Sequence, residues 1–190
     1  VYKLQEIDAR DRLLSADQAL AELQERCGGL IPGTLAIPEL LATLAIEGCV
    51  VTIDAMGTQT EIARLIRARG AHYVLCVKDN QPKLVDSILL VLAGAAGPIA
   101  PASHFEPPDK PGRHGRTEIR RCWAYDCAER LYKHAQWDGL QSFAIVERSR
   151  TVGARTTTER RYYISSLPAD AERIARAVRS HWEVEKSVRK

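Results

Sequence analysis

The sequence predicts an α/β fold, and three observations carry that expectation. Cys49-Val50-Val51-Thr52-Ile53 is a run of mostly β-branched residues without amphipathic alternation, as a central parallel strand covered on both faces requires. Helical and strand patterns alternate from Ile37 to Ala93, the grammar of crossover connections in an α/β sheet. Beyond Thr117 the apolar period shifts to two, which predicts antiparallel strands.

Each element follows from local chemistry. Leu13, Leu14, Ala16, Leu20 and Leu23 recur at helical spacing before Gly28-Gly29, so 1–36 reads as a helical segment. Ile37-Pro38-Glu39-Leu40 opens a second helix with proline in its first turn, and the strand 49–53 follows and ends at Asp54. Thr60 to Arg69 is helical, with Ile62, Ala63, Leu65 and Ile66 as the buried face and Gly70 as the stop. His72 to Val77 is a second apolar strand, and Asp79-Asn80-Gln81-Pro82 leads into a helix ending near Leu92. These elements make 37–93 an α/β core segment. Glycine, alanine and proline then dominate, so 94–113 is expected to be a flexible loop. Three alternating runs, 117–125, 142–148 and 156–164, make 114–167 β-rich, with a short helix expected from Glu129 to Ala135. Pro168-Ala169-Asp170 precedes a final helix over 168–190, whose apolar stripe is Ile174, Ala177, Val178, Trp182 and Val184.

Composition narrows the function classes. The 190 residues are 45% hydrophobic and 27% charged, enough for one ordinary core. The longest apolar stretch, Ile88 to Ala102, is broken by Gly94, Gly97, Pro98 and Pro101, so no membrane span is expected. The first residues lack a basic start followed by an apolar core, which argues against export. Five cysteines without a CxxC pair fit neither a disulfide framework nor a zinc cluster, and a reducing cytoplasm is the expected setting. Cys49 and Cys76 lie in apolar runs and read as buried hydrophobes. The net charge of +3 is mild, but arginines gather in the second half, at 113–121, 148–161 and 173–189. Such a distribution suits either a solvated basic surface or one facing phosphates.

Candidate chemistry centres on carboxylates. Asp54 stands at the carboxyl end of a central strand and Glu185 on a late helix, the arrangement from which two-metal phosphoryl-transfer sites are built. Carboxylates are hard oxygen ligands suited to Mg²⁺ or Mn²⁺, although a strand-end Asp also serves as a plain helix cap.

Five blocks in order are recognisable: Val50 to Gln59 (VVTIDAMGTQ), Tyr73 to Gln81 (YVLCVKDNQ), His114 to Arg120 (HGRTEIR), Tyr162 to Leu167 (YYISSL) and Arg179 to Glu185 (RSHWEVE). Together they resemble the H-repeat-associated transposases, a group of bacterial insertion-sequence DDE enzymes. The resemblance covers about Ile37 to Glu185 and implies the C-terminal part of a catalytic domain. It also implies a partial RNase H-like fold with a β-rich insertion before the last helix, and DNA strand cleavage and joining with Mg²⁺ or Mn²⁺. Asp54 matches the family's second Asp and Glu185 its Glu, by the His-Trp-x-aliphatic-Glu pattern. The family's first Asp, in an Asp-Gly-Lys context, has no counterpart in Val1 to Ala36. The chain is therefore expected not to cleave DNA on its own.

Further candidates surround this pair. Gln59, Lys78, Asn80 and Gln81 follow strand ends, where sites in open α/β sheets lie, and could contact DNA, orient Asp54 or simply cap their loops. His114, Arg116, Arg120 and Arg179 are candidate DNA contacts, and His181 stands one turn before Glu185 as a supporting residue. Double-stranded DNA is the expected partner. Two rivals stay open: a remnant that binds DNA without cutting it, and a stable remnant with no nucleic-acid role that forms a homo-oligomer through an open sheet edge.

Overall fold

A computed structural model describes residues 3–6, 37–38, 41–42, 44–95, 97, 99–107 and 116–188; for 3–6, 116 and 181–188 it describes the backbone only. The strands are β1 (Lys3–Glu6), β2 (Cys49–Ile53), β3 (His72–Val77), β4 (Ser103–Phe105), β5 (Arg116–Tyr125), β6 (Ser142–Val152) and β7 (Arg155–Ser165). They form one sheet in the order β1-β2-β3-β7-β6-β5-β4. The helices are α1 (Thr60–Ala68), α2 (Pro82–Leu92) and α3 (Ala171–Val188). Ile37, Pro38, Leu41 and Ala42 are helical as well. No helix among the described residues is long and apolar enough to cross a membrane.

Both α/β crossover strands form where expected. β2 and β3 pair in parallel, Val50 opposite His72 and Ile53 opposite Leu75, with α1 as the connection. All five β2 residues are buried, which explains why the run lacks a polar face. α1 stops at Gly70, whose φ of +71° is a left-handed value that favours glycine.

Three features depart from the sequence reading. Lys3–Glu6 is an edge strand antiparallel to β2, within a segment read as helical; a four-residue polar stretch at an edge carries no alternation to betray it. The helix expected over Leu13 to Cys27 lies outside the described residues. β4 lies inside the expected loop 94–113, set against β5 with His104 opposite Trp123 and their rings stacked at 5.2 Å. The helix expected over Glu129 to Ala135 is instead two 3₁₀ turns, Ala128–Arg130 and His134–Gln136.

The β-rich segment belongs to the same sheet. Tyr162 to Ser165 of β7 pair antiparallel with Val77 to Val74 of β3, so the parallel unit continues directly into the β7-β6-β5-β4 meander. Serines fasten this seam. Ser165 Oγ donates to the Tyr73 carbonyl at 2.9 Å, and the Tyr73 N–H donates to Ser166 Oγ at 2.9 Å.

Strand alternation sorts the core into two layers. Val51, Ile53, Leu75, Phe143 and Ile164 point to the side covered by Ile62 and Ile66 of α1 and by Leu84 and Ile88 of α2. Val50, Val74, Cys76, Cys122, Ala144 and Tyr163 point to the other side, which Ile174, Ala177 and Val178 of α3 cover. The stripe expected on the last helix is thus correct over its first half; the side chains of Trp182 and Val184 lie outside the description.

Helix α3 starts at the far edge. Ser103 Oγ of β4 accepts from the Ala171 N–H at 2.7 Å and donates to the Ala169 carbonyl at 2.5 Å, while Asp170 Oδ1 accepts from the Arg173 N–H at 3.0 Å as the cap. Eighteen residues span about 27 Å at 1.5 Å per residue, close to the width of the sheet. The helix also packs on β2 and β1, so its C-terminal half lies at that edge.

Phe143 tests the seam's packing, being fully buried and stacked on Tyr125 at 4.8 Å. Phe143→Ala is expected to lower stability by about 3–5 kcal/mol in urea unfolding. A loss below roughly 1 kcal/mol would contradict this packing.

Candidate active site

Asp54 is the residue at which β2 stops being a strand. Its backbone stays extended (φ −69°, ψ 168°), so it continues the alternation of Val50 and Thr52 onto the α3 side of the sheet. Its Oδ1 accepts from the Ala55 N–H at 2.6 Å and caps the 3₁₀ turn Ala55–Gly57. Asp54 is half-buried, and no other bond engages its side chain among the described residues.

The loop behind it is held rigidly. Thr58 is fully buried and its Oγ1 donates to the Cys76 carbonyl at 2.6 Å, tying the end of the β2 loop to the end of β3. Asn80 Nδ2 donates to the Ala55 carbonyl, and Gln81 Nε2 donates to the Thr58 carbonyl at 3.0 Å. Gly57 is buried where only glycine fits, since a Cβ there would strike Ile53 Cγ2 and come within 2.8 Å of Ile37 Cδ1. Sequence reading missed Thr58 as the hub of this latch. Its only signal was a small hydroxyl residue four positions after a strand-end Asp, which is common in any turn.

The remaining candidates are spread more widely. Gln59 is exposed ahead of α1 and makes no side-chain cap bond, while Lys78 is exposed just after β3. Arg120 sits on β5, where its guanidinium grips Glu118 with bonds of 2.8 and 2.5 Å. Four strand spacings separate β5 from β2, about 19 Å, too far for Arg120 to share a ligand atom with Asp54. Arg179 is exposed on α3. The backbones of His181 and Glu185 belong to the C-terminal half of α3, and their side chains lie outside the description, as does that of Arg116. His114 falls outside the described residues altogether.

Electrostatics gives a second measure of Asp54's position. Burial pushes the Cys76 thiol up to about 11, and the nearby Asp54 carboxylate adds to that rise while Arg161 and Lys78 oppose it. One thiol on the α3 side therefore feels Asp54, Lys78 and Arg161 together. Cys49 and Cys76 are buried, as their apolar runs suggest, and Cys122 is buried as well. Among the described residues no group of three or more His, Cys, Asp or Glu side chains is placed to hold a metal ion.

With this geometry in view, comparison with known proteins is informative. The family described as Transposase DDE domain matches residues 33–190, and the chain belongs to that family. Its mixed α/β architecture is consistent with an RNase H-like transposase domain. The chain is similar to the protein named H repeat-associated putative transposase YhhI of Escherichia coli, 35% identical over 161 residues, covering 79% of this chain and 40% of that protein. An Escherichia coli protein named putative protein YbfL gives the same identity and coverage. An uncharacterized protein in the dhlA 3' region of Xanthobacter autotrophicus is 36% identical over 135 residues, 71% of this chain and 45% of that one. The chain thus spans less than half the length of these curated relatives, and the likeness to H-repeat-associated transposases is borne out. No solved structure matches.

Thr58→Val keeps the shape of the latch and removes its donor. Unfolding in urea is expected to show a loss of about 1–3 kcal/mol, because the Cys76 carbonyl loses its partner in a buried setting. Unchanged stability would show that the hydroxyl does not hold the loop.

Proposed function

We propose that this chain carries two carboxylates, Asp54 and Glu185, of the divalent-metal centre of a DNA transposase that cleaves and joins DNA strands. The observation that carries the reading is the position of Asp54. It ends a central parallel strand on the α3 side, and α3, the helix that contains Glu185 in its sequence, packs on that same strand.

The donor chemistry fits the ion. Asp54 and Glu185 are hard oxygen donors suited to Mg²⁺ or Mn²⁺, and among the described residues Asp54 Oδ2 has no hydrogen bond once Oδ1 has taken the Ala55 amide. Such ions, when bound in pairs, activate water and stabilise the leaving oxygen of the phosphodiester. Asn80 acts as a positioning residue: by holding the Ala55 carbonyl it fixes the turn from which the carboxylate projects. Lys78, Gln81, His114, Arg116, Arg120 and Arg179 remain proposed DNA contacts, although Gln81 and Arg120 each hold a protein partner as well.

The 190-residue chain on its own is expected to lack cleavage activity. The resemblance calls for three carboxylates, and metal ions gripped from one side only are poorly placed for in-line displacement. A second reading, DNA holding without cutting, is favoured by the arginines of the second half.

Supercoiled plasmid incubated with the chain and Mg²⁺ or Mn²⁺ tests both. Duplex binding that weakens steeply with salt and produces no nicks is the expected result. Nicking that disappears in Asp54→Asn would overturn the predicted inactivity, and failure to bind duplex at low salt would overturn the DNA reading.

A further inference from the structure

The distal parts of β5, β6 and β7 leave the body as a three-stranded ribbon. Among the described residues, the backbone of Arg116–Arg121 pairs with β6 alone, since β4 pairs only as far as Cys122, and that of Arg155–Arg161 pairs with β6 alone, since β3 pairs only as far as Tyr162. No helix is needed to cover it: most side chains from Arg150 to Arg160 are exposed.

Register divides the ribbon into two unlike faces. Arg120, Arg148, Arg150, Arg155 and Arg161 share one face with Glu118 and Glu159, since they alternate in step with Cys122, Val146 and Tyr163. The opposite face carries Ser149, Thr151, Thr156 and Thr158, whose hydroxyls pair across the strands at 3.1 and 2.9 Å, with Arg121 and Arg160 closing on Glu147. Cation excess therefore collects on the α3 side, the side to which Asp54 also points.

Glutamates neutralise part of that face and, among the described residues, do not reach its tip. Glu118 spends Oε1 on Arg120 and Oε2 on Arg148, and Glu159 pairs with Arg161 at 2.8 Å. Arg150 lies directly opposite Glu118 in the register, yet both carboxylate oxygens are already taken. Arg150 and Arg155 are exposed and have no side-chain partner among the described residues. From Arg155 to Arg161 the face extends about 20 Å at 3.4 Å per residue, a length matching roughly six base steps of duplex.

We propose that this arginine face is a docking surface for the phosphate backbone of double-stranded DNA, with Arg150 and Arg155 as its anion contacts and its root leading toward Asp54. The inference rests on the reading that the chain acts on DNA, and it names where the duplex lies. Contacts of this kind read charge and spacing rather than base sequence. The mutually satisfied hydroxyls of the other face are left outside the contact.

The test measures affinity of the 190-residue chain for a short mixed-sequence duplex by fluorescence anisotropy across a range of salt concentrations. The double variant Arg150→Gln/Arg155→Gln is expected to bind more weakly, with the slope of log affinity against log salt shallower by roughly two. Thr151→Ala/Thr156→Ala, on the opposite face, is expected to leave the slope unchanged. Thermal unfolding of each variant checks that the fold persists. Duplex binding with an unaltered slope in the arginine variant overturns the ribbon surface and leaves the DNA reading standing. No duplex binding by the unmodified chain at low salt overturns both. Tighter capture of poly-glutamate than of duplex through the same two arginines overturns DNA as the occupant in favour of an acidic protein.

Discussion

The four-residue seam between β3 and β7 is the constraint on which the rest of the molecule depends. It joins a parallel crossover unit, β2-α1-β3, to an antiparallel meander, and it sets one register from β2 to β5. A slip of one residue at this seam would move every side chain of the meander to the opposite face. Ser165 and Ser166, both fully buried, oppose such a slip because their hydroxyls meet the Tyr73 carbonyl and amide individually. Ser142 fastens the neighbouring β6–β7 pair, its Oγ donating to the Leu167 carbonyl at 2.7 Å.

That register is what gives distant residues a common side. Asp54, Cys76, Tyr163, Ala144 and Ala124 follow one another across the sheet on the side that α3 covers, and the arginines from 148 to 161 that share their parity extend the same surface. The two faces of the sheet differ in chemistry. The α1 and α2 side is a dense apolar core, whereas the α3 side grades from buried thiols and alanines into ion pairs and then into exposed arginines. Asp54 stands where the apolar surface ends, and a rigid loop behind it leaves little freedom to reorganise when a ligand arrives.

Much of this was legible in the sequence because the signals were periodic. β2, β3, α1, α2 and the three long meander strands each repeat a pattern over five or more residues, and the proposal of Asp54 and Glu185 rests on ordered blocks rather than on any single motif. β1 and β4 were illegible because strands of four and three residues at a sheet edge have too few positions to show alternation. The union of the β-rich segment with the core sheet was hidden for another reason: Tyr162-Tyr163-Ile164-Ser165 reads as a strand, but nothing in it names β3 as its partner. The latch around Thr58 is likewise a fact of tertiary contact, and the difference between Arg120, held by Glu118, and Arg150, without a side-chain partner among the described residues, depends on which carboxylate oxygens are already occupied.

Cooperation between two acids far apart in sequence is the central claim, and Mn²⁺ binding measures it directly. Paramagnetic relaxation titrations of the unmodified chain, Asp54→Asn, Glu185→Gln and the double variant form a thermodynamic cycle. If the two carboxylates hold the same ion, either single change removes most of the affinity and the second adds little. Independent, additive losses, or none at all, would contradict a shared site.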